Sequence, residues 1–212
     1  MTQAAWLSLV RQQKAIAVIR TTQLDIGMEM AKAVAAGGMR LIEVTWNSGN
    51  PTKLLHQLHC QLPHCSIGAG TLLTEADLQA AIDAGAEFLF SPHTNLAMIQ
   101  MAVQQQVPMI PGALSPTEIL VAWQAGATCV KVFPIDSVGN AAYIRHLQGP
   151  LGQIPLIPTG GVTLDNASSL IQAGAVAVGL AGQLFPKQAI EQRDWKIVRD
   201  RAAGLMQQLA VL

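Results

Sequence analysis

Ala125-Gly126-Ala127-Thr128-Cys129-Val130-Lys131-Val132-Phe133-Pro134 is the stretch on which the fold turns. Its Ala-Gly-Ala start reads as the end of a helix, where a glycine takes the left-handed conformation that closes the last turn. The apolar run that follows reads as a buried β-strand, and it carries a single lysine. The same junction occurs three more times. Ala36-Gly37-Gly38 precedes Leu41-Ile42-Glu43-Val44, Ala84-Gly85-Ala86 precedes Phe88-Leu89-Phe90, and Ala173-Gly174-Ala175 precedes Val176-Ala177-Val178. The interval of roughly 40 to 50 residues holds about two strand–helix units each time.

Four more short apolar runs lie between these: Ala15 to Arg20, Ser66 to Gly70, Val107 to Pro111 and Ile154 to Pro158. Helix starts are marked by Thr74-Glu75-Ala76-Asp77, Ser115-Pro116-Thr117-Glu118 and Thr163-Leu164-Asp165-Asn166. The first two set an acid three residues after Thr or Ser, as in a capping box, and the second adds proline at the first helical position. Trp195 to Leu212 forms an amphipathic tail. Eight strands, each followed by a helical stretch, predict a single α/β domain over residues 1–212, a (β/α)8 TIM barrel. A doubly wound open sheet is the alternative architecture.

Composition agrees with that class. Of 212 residues, 50% are hydrophobic and 12% charged, and the mean hydropathy is +0.34. A large core with both sheet faces covered explains such values. No run of 18 apolar residues points to a membrane span, and no signal peptide is expected, since Arg11 and Lys14 precede only a short apolar run. The 13 basic and 13 acidic residues cancel, which argues against nucleic acid or an anionic membrane as the main partner. Cys60, Cys65 and Cys129 are too few for a disulfide framework and suggest a reducing cytoplasm.

In such a barrel, chemistry gathers at the carboxyl ends of the strands. Those ends carry Arg20, Glu43 to Asn47, Gly68 to Thr71, Ser91-Pro92-His93, Pro111-Gly112, Lys131 to Pro134, Pro158 to Gly161 and Gly179 to Gly182. Side chains alternate along a strand, so Lys131 and Phe133 share one face and Val130 and Val132 the other. Glu43 and Thr45 likewise oppose Ile42 and Val44. With the Val/Ile faces against the outer helices, Lys131 and Glu43 both point into the barrel, from strands six and two, across the axis from each other. Burial lowers the pKa of an ammonium group and frees an amine for Schiff-base chemistry. The carboxylate opposite suits acid–base work. A buried ion pair is the alternative reading.

Thr159-Gly160-Gly161 and Gly179 to Gly182 follow strands seven and eight, where backbone N–H groups at helix starts commonly hold phosphate. Tight turns would also need these glycines. Gly68-Ala69-Gly70-Thr71 lacks the third glycine of a dinucleotide fingerprint. His56, His59, Cys60, His64 and Cys65 match no common zinc spacing, so no metal is expected. His93 is either a substrate contact or a loop histidine without a role. Met28, Met30, Met98 and Met101 read as core packing.

Taken in order, Glu43-Val44-Thr45, Gly68-Ala69-Gly70-Thr71, Ile110-Pro111-Gly112, Val130-Lys131-Val132-Phe133-Pro134 and Pro158-Thr159-Gly160-Gly161-Val162 resemble the 2-keto-3-deoxy-6-phosphogluconate aldolase family of class I pyruvate aldolases. The likeness runs from Ala17-Val18-Ile19-Arg20 to Gly182-Gln183-Leu184-Phe185. It implies a homotrimeric enzyme without cofactor that splits a phosphorylated keto acid into pyruvate and glyceraldehyde 3-phosphate. Carried over, Lys131 forms the imine and Glu43 shuttles protons. Thr71 binds the pyruvate carboxylate, Phe133 and Pro92 wall the pocket, and Thr159, Gly160, Gly161 and Gly182 belong to the phosphate end. Two positions depart from the phosphogluconate pattern. Asn47-Ser48 stands where many members carry an arginine, and Gly182 where they often carry serine. Asn47, expected among the substrate-binding residues, and Arg20 on strand one look more like the phosphogalactonate branch, and Arg20 is inferred to take the carboxylate contact. Oxaloacetate decarboxylation or 4-hydroxy-2-oxoglutarate cleavage by the same imine are alternatives, as is a phosphosugar isomerase or binding barrel without imine chemistry.

Overall fold

The computed structural model describes residues 2–212. Eight parallel strands form its centre: β1 (Ala15–Ile19), β2 (Leu41–Thr45), β3 (Ser66–Gly70), β4 (Leu89–Phe90), β5, β6 (Val130–Val132), β7 (Leu156–Pro158) and β8 (Val178–Leu180). Strand β5 comes in two pieces, Met109–Ile110 and Gly112–Ala113, on either side of Pro111. Proline has no N–H to donate to the ladder, yet its carbonyl still accepts from Lys131 N at 2.9 Å. The first piece of β5 pairs with β4 and the second with β6. Strand β1 pairs with both β2 and β8. A parallel bridge between Thr159 and Gly179 joins β7 to β8 and closes the ring. The open doubly wound sheet is thereby excluded, and the fold is a (β/α)8 barrel.

The helices are α1 (Gln3–Gln13), α2 (Leu24–Ala36), α3 (Pro51–Gln61), α4 (Glu75–Asp83), α5 (Leu96–Gln104), α6 (Pro116–Gln124), α7 (Ala141–Leu151), α8 (Ala167–Gln172), α9 (Lys187–Glu191) and α10 (Trp195–Ala210). Both expected capping boxes form, with Thr74 accepting from Asp77 N and Ser115 from Glu118 N. The third start differs from expectation. Thr163 and Asn166 bond reciprocally, N to Oδ1 at 2.8 Å and N to Oγ1 at 3.0 Å, and hold a turn. Helix α8 begins only after it, at Ala167. At the first helix–strand junction the left-handed residue is Gly38 rather than Gly37, because α2 runs on to Ala36.

The core has two shells, as strand alternation requires. Ile42, Val44, Val130 and Val132 belong to the shell between strands and helices. Ile16, Leu41, Phe88, Phe90, Ile110, Cys129 and Ile157 fill the barrel interior. Helix α1, which the strand pattern does not announce, supplies Trp6 and Val10 to that interior cluster. The Trp6 ring lies 5.2 Å from Phe88, and Phe88 meets Phe90 edge-on at 5.9 Å. Large apolar side chains thus fill the lower barrel. The upper end, at the strand carboxyl termini, is left for polar groups.

Candidate active site

Glu43 on β2 and Lys131 on β6 both face the barrel interior, 2% and 6% exposed. In a ring of eight strands these two lie on opposite walls. The interior residues one step below them, Leu41 on β2 and Cys129 before β6, are apolar, so both ionisable groups sit at the boundary between packed core and open mouth. Phe133, on the same face as Lys131, brings its ring to 4.7 Å from Nζ, and Phe90 lies at 5.9 Å. Aromatic faces attract a cation without neutralising it.

No ion pair among the described residues includes Lys131 or Glu43. The two nevertheless sense each other. Burial pushes the Lys131 amine down from the usual lysine range, Glu43 partly restores it, and Arg20 pushes it down further. Burial pushes the Glu43 carboxyl up, opposed by Lys131 and then Arg20. An amine lowered and a carboxyl raised, facing one space, are the pair that proton-coupled attack on a carbonyl needs.

That space is a cavity of about 410 Å³. Arg20, Glu43, Thr71, Pro92, Lys131, Phe133, Thr159, Gly160, Gly161 and Gly182 all line it. Ten residues from seven strand ends thus meet in one hollow. Thr71 holds a left-handed backbone, with φ 60. This conformation is costly for a β-branched residue and is typical of sites where function constrains the chain. Gly160 and Gly161 are both at φ 81, and a Cβ on Gly161 would collide with the Asp136 side chain. The backbone N–H groups of Gly161, Val162, Gly182 and Gln183 donate to no backbone acceptor among the described residues. Thr159 Oγ1, buried in the same wall, also has no partner. Free donors clustered on two neighbouring loops favour an anion.

The sequence model of the KDPG and KHG aldolase family matches residues 7–200. The chain belongs to that family. It is therefore an aldolase, an aldehyde-lyase. Its relatives include the 2-dehydro-3-deoxy-phosphogluconate aldolase of Pseudomonas aeruginosa, 30% identical over 96% of this chain and 92% of that one. Among solved structures, a KDPG aldolase from Legionella pneumophila, with pyruvate captured as a covalent carbinolamine, superposes with a TM-score of 0.87. It is 26% identical and covers 94% of this chain and 97% of its own. A native KDPGal structure reaches a TM-score of 0.84 at 28% identity, over 93% and 95% of the two chains.

Against the aldolase cavity, one expected contact falls outside. Asn47 is exposed on the loop after β2 and is not part of the cavity wall. The reason is local. Ser48, buried, bonds Thr45 Oγ1 at 3.1 Å and receives Thr21 N at 3.3 Å, and Gly49 N donates to Thr21 O at 2.8 Å. These bonds turn Ser48 inward against β1 and leave Asn47 outside. His93 lies in a neighbouring hollow behind Pro92 and Phe133, with its carbonyl accepting from Ser91 Oγ at 2.6 Å. His59 has a structural role, bonding the Gly85 carbonyl at 2.8 Å. Burial pushes the Cys65 thiol up to about 11 and the Cys129 thiol further, so neither thiol is a ready nucleophile. Val18, Val162, Thr163, Gly179, Ala181 and Gln183 also line the cavity. Gly179 and Ala181 belong to the strand-eight run already read in the sequence, and Val18, Val162, Thr163 and Gln183 lie within two residues of a strand-end residue.

Proposed function

We propose that the protein is a class I aldolase that reversibly cleaves a 2-keto-3-deoxy-6-phospho sugar acid to pyruvate and glyceraldehyde 3-phosphate. The observation that carries this reading is the unpaired, buried Lys131 facing buried Glu43 across a cavity backed by two glycine loops. Neutral Lys131 Nζ attacks the C2 carbonyl, and Glu43 supplies the proton for loss of water from the carbinolamine. Glu43 then takes the C4 hydroxyl proton. The C3–C4 pair flows into the protonated imine, the aldehyde leaves, and an enamine remains. Protonation at C3 and hydrolysis release pyruvate. The imine is itself the electron sink, so the scheme calls for no cofactor.

Thr71 and Arg20 are assigned to the pyruvate carboxylate, with Phe133 and Pro92 as walls. Thr159, Gly160, Gly161 and Gly182 are assigned to the phosphate. Among the described residues, Arg20 is the one cation lining the cavity besides Lys131, which supports giving it an anionic partner. The family resemblance supports a homotrimer built from one barrel domain over residues 1–212. No helix of the described residues is long and apolar enough to cross a membrane. The free Cys60, Cys65 and Cys129 support a cytoplasmic setting.

Borohydride with saturating pyruvate tests the assignment. A covalent mass increase confined to the Lys131 peptide is expected, and its absence sinks the imine. Phosphosugar binding without trapping would point instead to an isomerase or binding barrel. The wall also favours a second reading, because Gly182 offers only backbone to a phosphate. Cleavage of unphosphorylated 4-hydroxy-2-oxoglutarate, or decarboxylation of oxaloacetate, would use the same imine. Comparing kcat/KM across the three substrates ranks them.

A further inference from the structure

A second cavity of about 330 Å³ adjoins the first, and the two share Val18, Arg20, Ala181 and Gly182. Beyond that shared wall it is lined by Thr21, Met30, Phe185 and Ile190, from the β1–α2 loop, α2, the β8–α9 loop and α9. Its own lining is thus mostly hydrocarbon. Arg20 is exposed and makes no hydrogen bond or ion pair with a side chain or backbone group among the described residues. A Cβ on Gly182 would meet nothing within 4 Å. The partition between the cavities is therefore one unanchored side chain beside a bare backbone turn.

We propose that this second cavity is an acceptor subsite for aldehydes with an apolar, preferably aryl, tail. The proposal rests on the aldolase reading above. In the addition direction the acceptor carbonyl meets the enamine at Lys131, and its chain runs toward Gly182. A phenyl group two methylenes beyond the carbonyl replaces the phosphoryl end of glyceraldehyde 3-phosphate. It reaches the shared wall, where the hollow lined by Met30, Phe185 and Ile190 begins. An aromatic ring there buries apolar area and can stack on the Arg20 guanidinium. The chemistry balances without a further reagent. The enamine C3 pair forms the C3–C4 bond, the carbonyl π pair becomes an alkoxide protonated through Glu43, and water hydrolyses the imine. Pyruvate and 3-phenylpropanal give 4-hydroxy-2-oxo-6-phenylhexanoate.

The test compares kcat/KM for 3-phenylpropanal with that for propanal, each with pyruvate, in the full-length enzyme and in Ile190→Trp. The wild type is expected to favour the phenyl acceptor at least tenfold. Ile190→Trp fills the hollow and is expected to bring the ratio near one, while addition to glyceraldehyde 3-phosphate stays within twofold. That retained activity also reports folding. If Ile190→Trp loses it, Ile190→Phe replaces it as the milder filling. A wild-type ratio below three, or a ratio that survives filling, overturns the subsite. Borohydride trapping of pyruvate, run in parallel, separates the two failures. No adduct removes the aldolase reading and the subsite together, whereas an adduct with a low ratio removes the subsite alone.

Discussion

Gly70 on β3 and Glu43 on β2 occupy one volume: a Cβ on Gly70 would stand where the Glu43 carboxylate lies. The glycine thus makes room for the carboxylate proposed as the acid–base group. Gly70→Ala leaves β3 in its ladder, since Gly70 lies within a regular strand and has no positive φ. It forces the carboxylate off its position. We expect kcat for aldol cleavage to fall about a hundredfold, the usual scale for losing positioned acid–base catalysis. Thermal stability should change little compared with that loss. Cleavage rates above one tenth of wild type would show that Glu43 works equally well from another position.

The electrostatics of Lys131 give a signed prediction. Only the neutral amine is nucleophilic, so its labelling by acetic anhydride rises with pH through the Lys131 pKa. Burial places that rise below the usual lysine value of 10.5. Glu43 holds the amine up and Arg20 holds it down. In Glu43→Gln the labelling curve should therefore shift to lower pH, and in Arg20→Ala to higher pH. Opposite shifts from the two variants are required. Shifts in one direction, or none, would mean that the three charges are not coupled through the cavity.

Arg20→Ala also tests the carboxylate assignment. Loss of one charge-assisted contact in the transition state predicts a fall in kcat/KM of about ten- to a hundredfold. The pyruvate concentration that half-saturates borohydride trapping should rise in step. A fall in kcat/KM of less than threefold rules out even one kcal/mol of transition-state binding by this residue. A large fall with unchanged pyruvate trapping would move Arg20 to the phosphate end. Arg20 follows β1, which lies between β2 and β8, and it lines the cavity together with both Thr71 and Gly182.

Strand alternation made the inner face legible in sequence, because Lys131 and Glu43 sit among residues whose partners are unambiguously apolar. The glycine junctions and both capping boxes were legible for the same local reason. What the sequence did not reveal depends on distant segments. Asn47 lies past the last β2 residue, where alternation ends, and its direction follows from Ser48 bonding Thr21 on another unit. The left-handed Thr71 carries no local signature, since β-branched residues ordinarily avoid that region. Helix α1 shows little periodic pattern, and its role emerges only when Trp6 meets Phe88 inside the barrel. The second cavity joins residues from opposite ends of the chain, Thr21 and Met30 with Phe185 and Ile190.

Gly182, proposed for the phosphate end, offers the last test, since the family resemblance implies a serine at this position in many members. Nothing lies within 4 Å of a Cβ placed there, and its φ is not in the left-handed region. A serine can therefore be added without strain. A hydroxyl donating to phosphate contributes about 1.5–3 kcal/mol when the acceptor is charged, or roughly ten- to a hundredfold in affinity. Gly182→Ser should lower KM for the phosphorylated substrate by about tenfold, allowing for imperfect geometry. KM for 4-hydroxy-2-oxoglutarate and the pyruvate dependence of trapping should stay unchanged, because neither places a phosphate at that turn. An equal change for phosphorylated and unphosphorylated substrates would show that the loop at Gly182 does not hold the phosphate. The anion would then belong to Gly160, Gly161 and Thr159 alone.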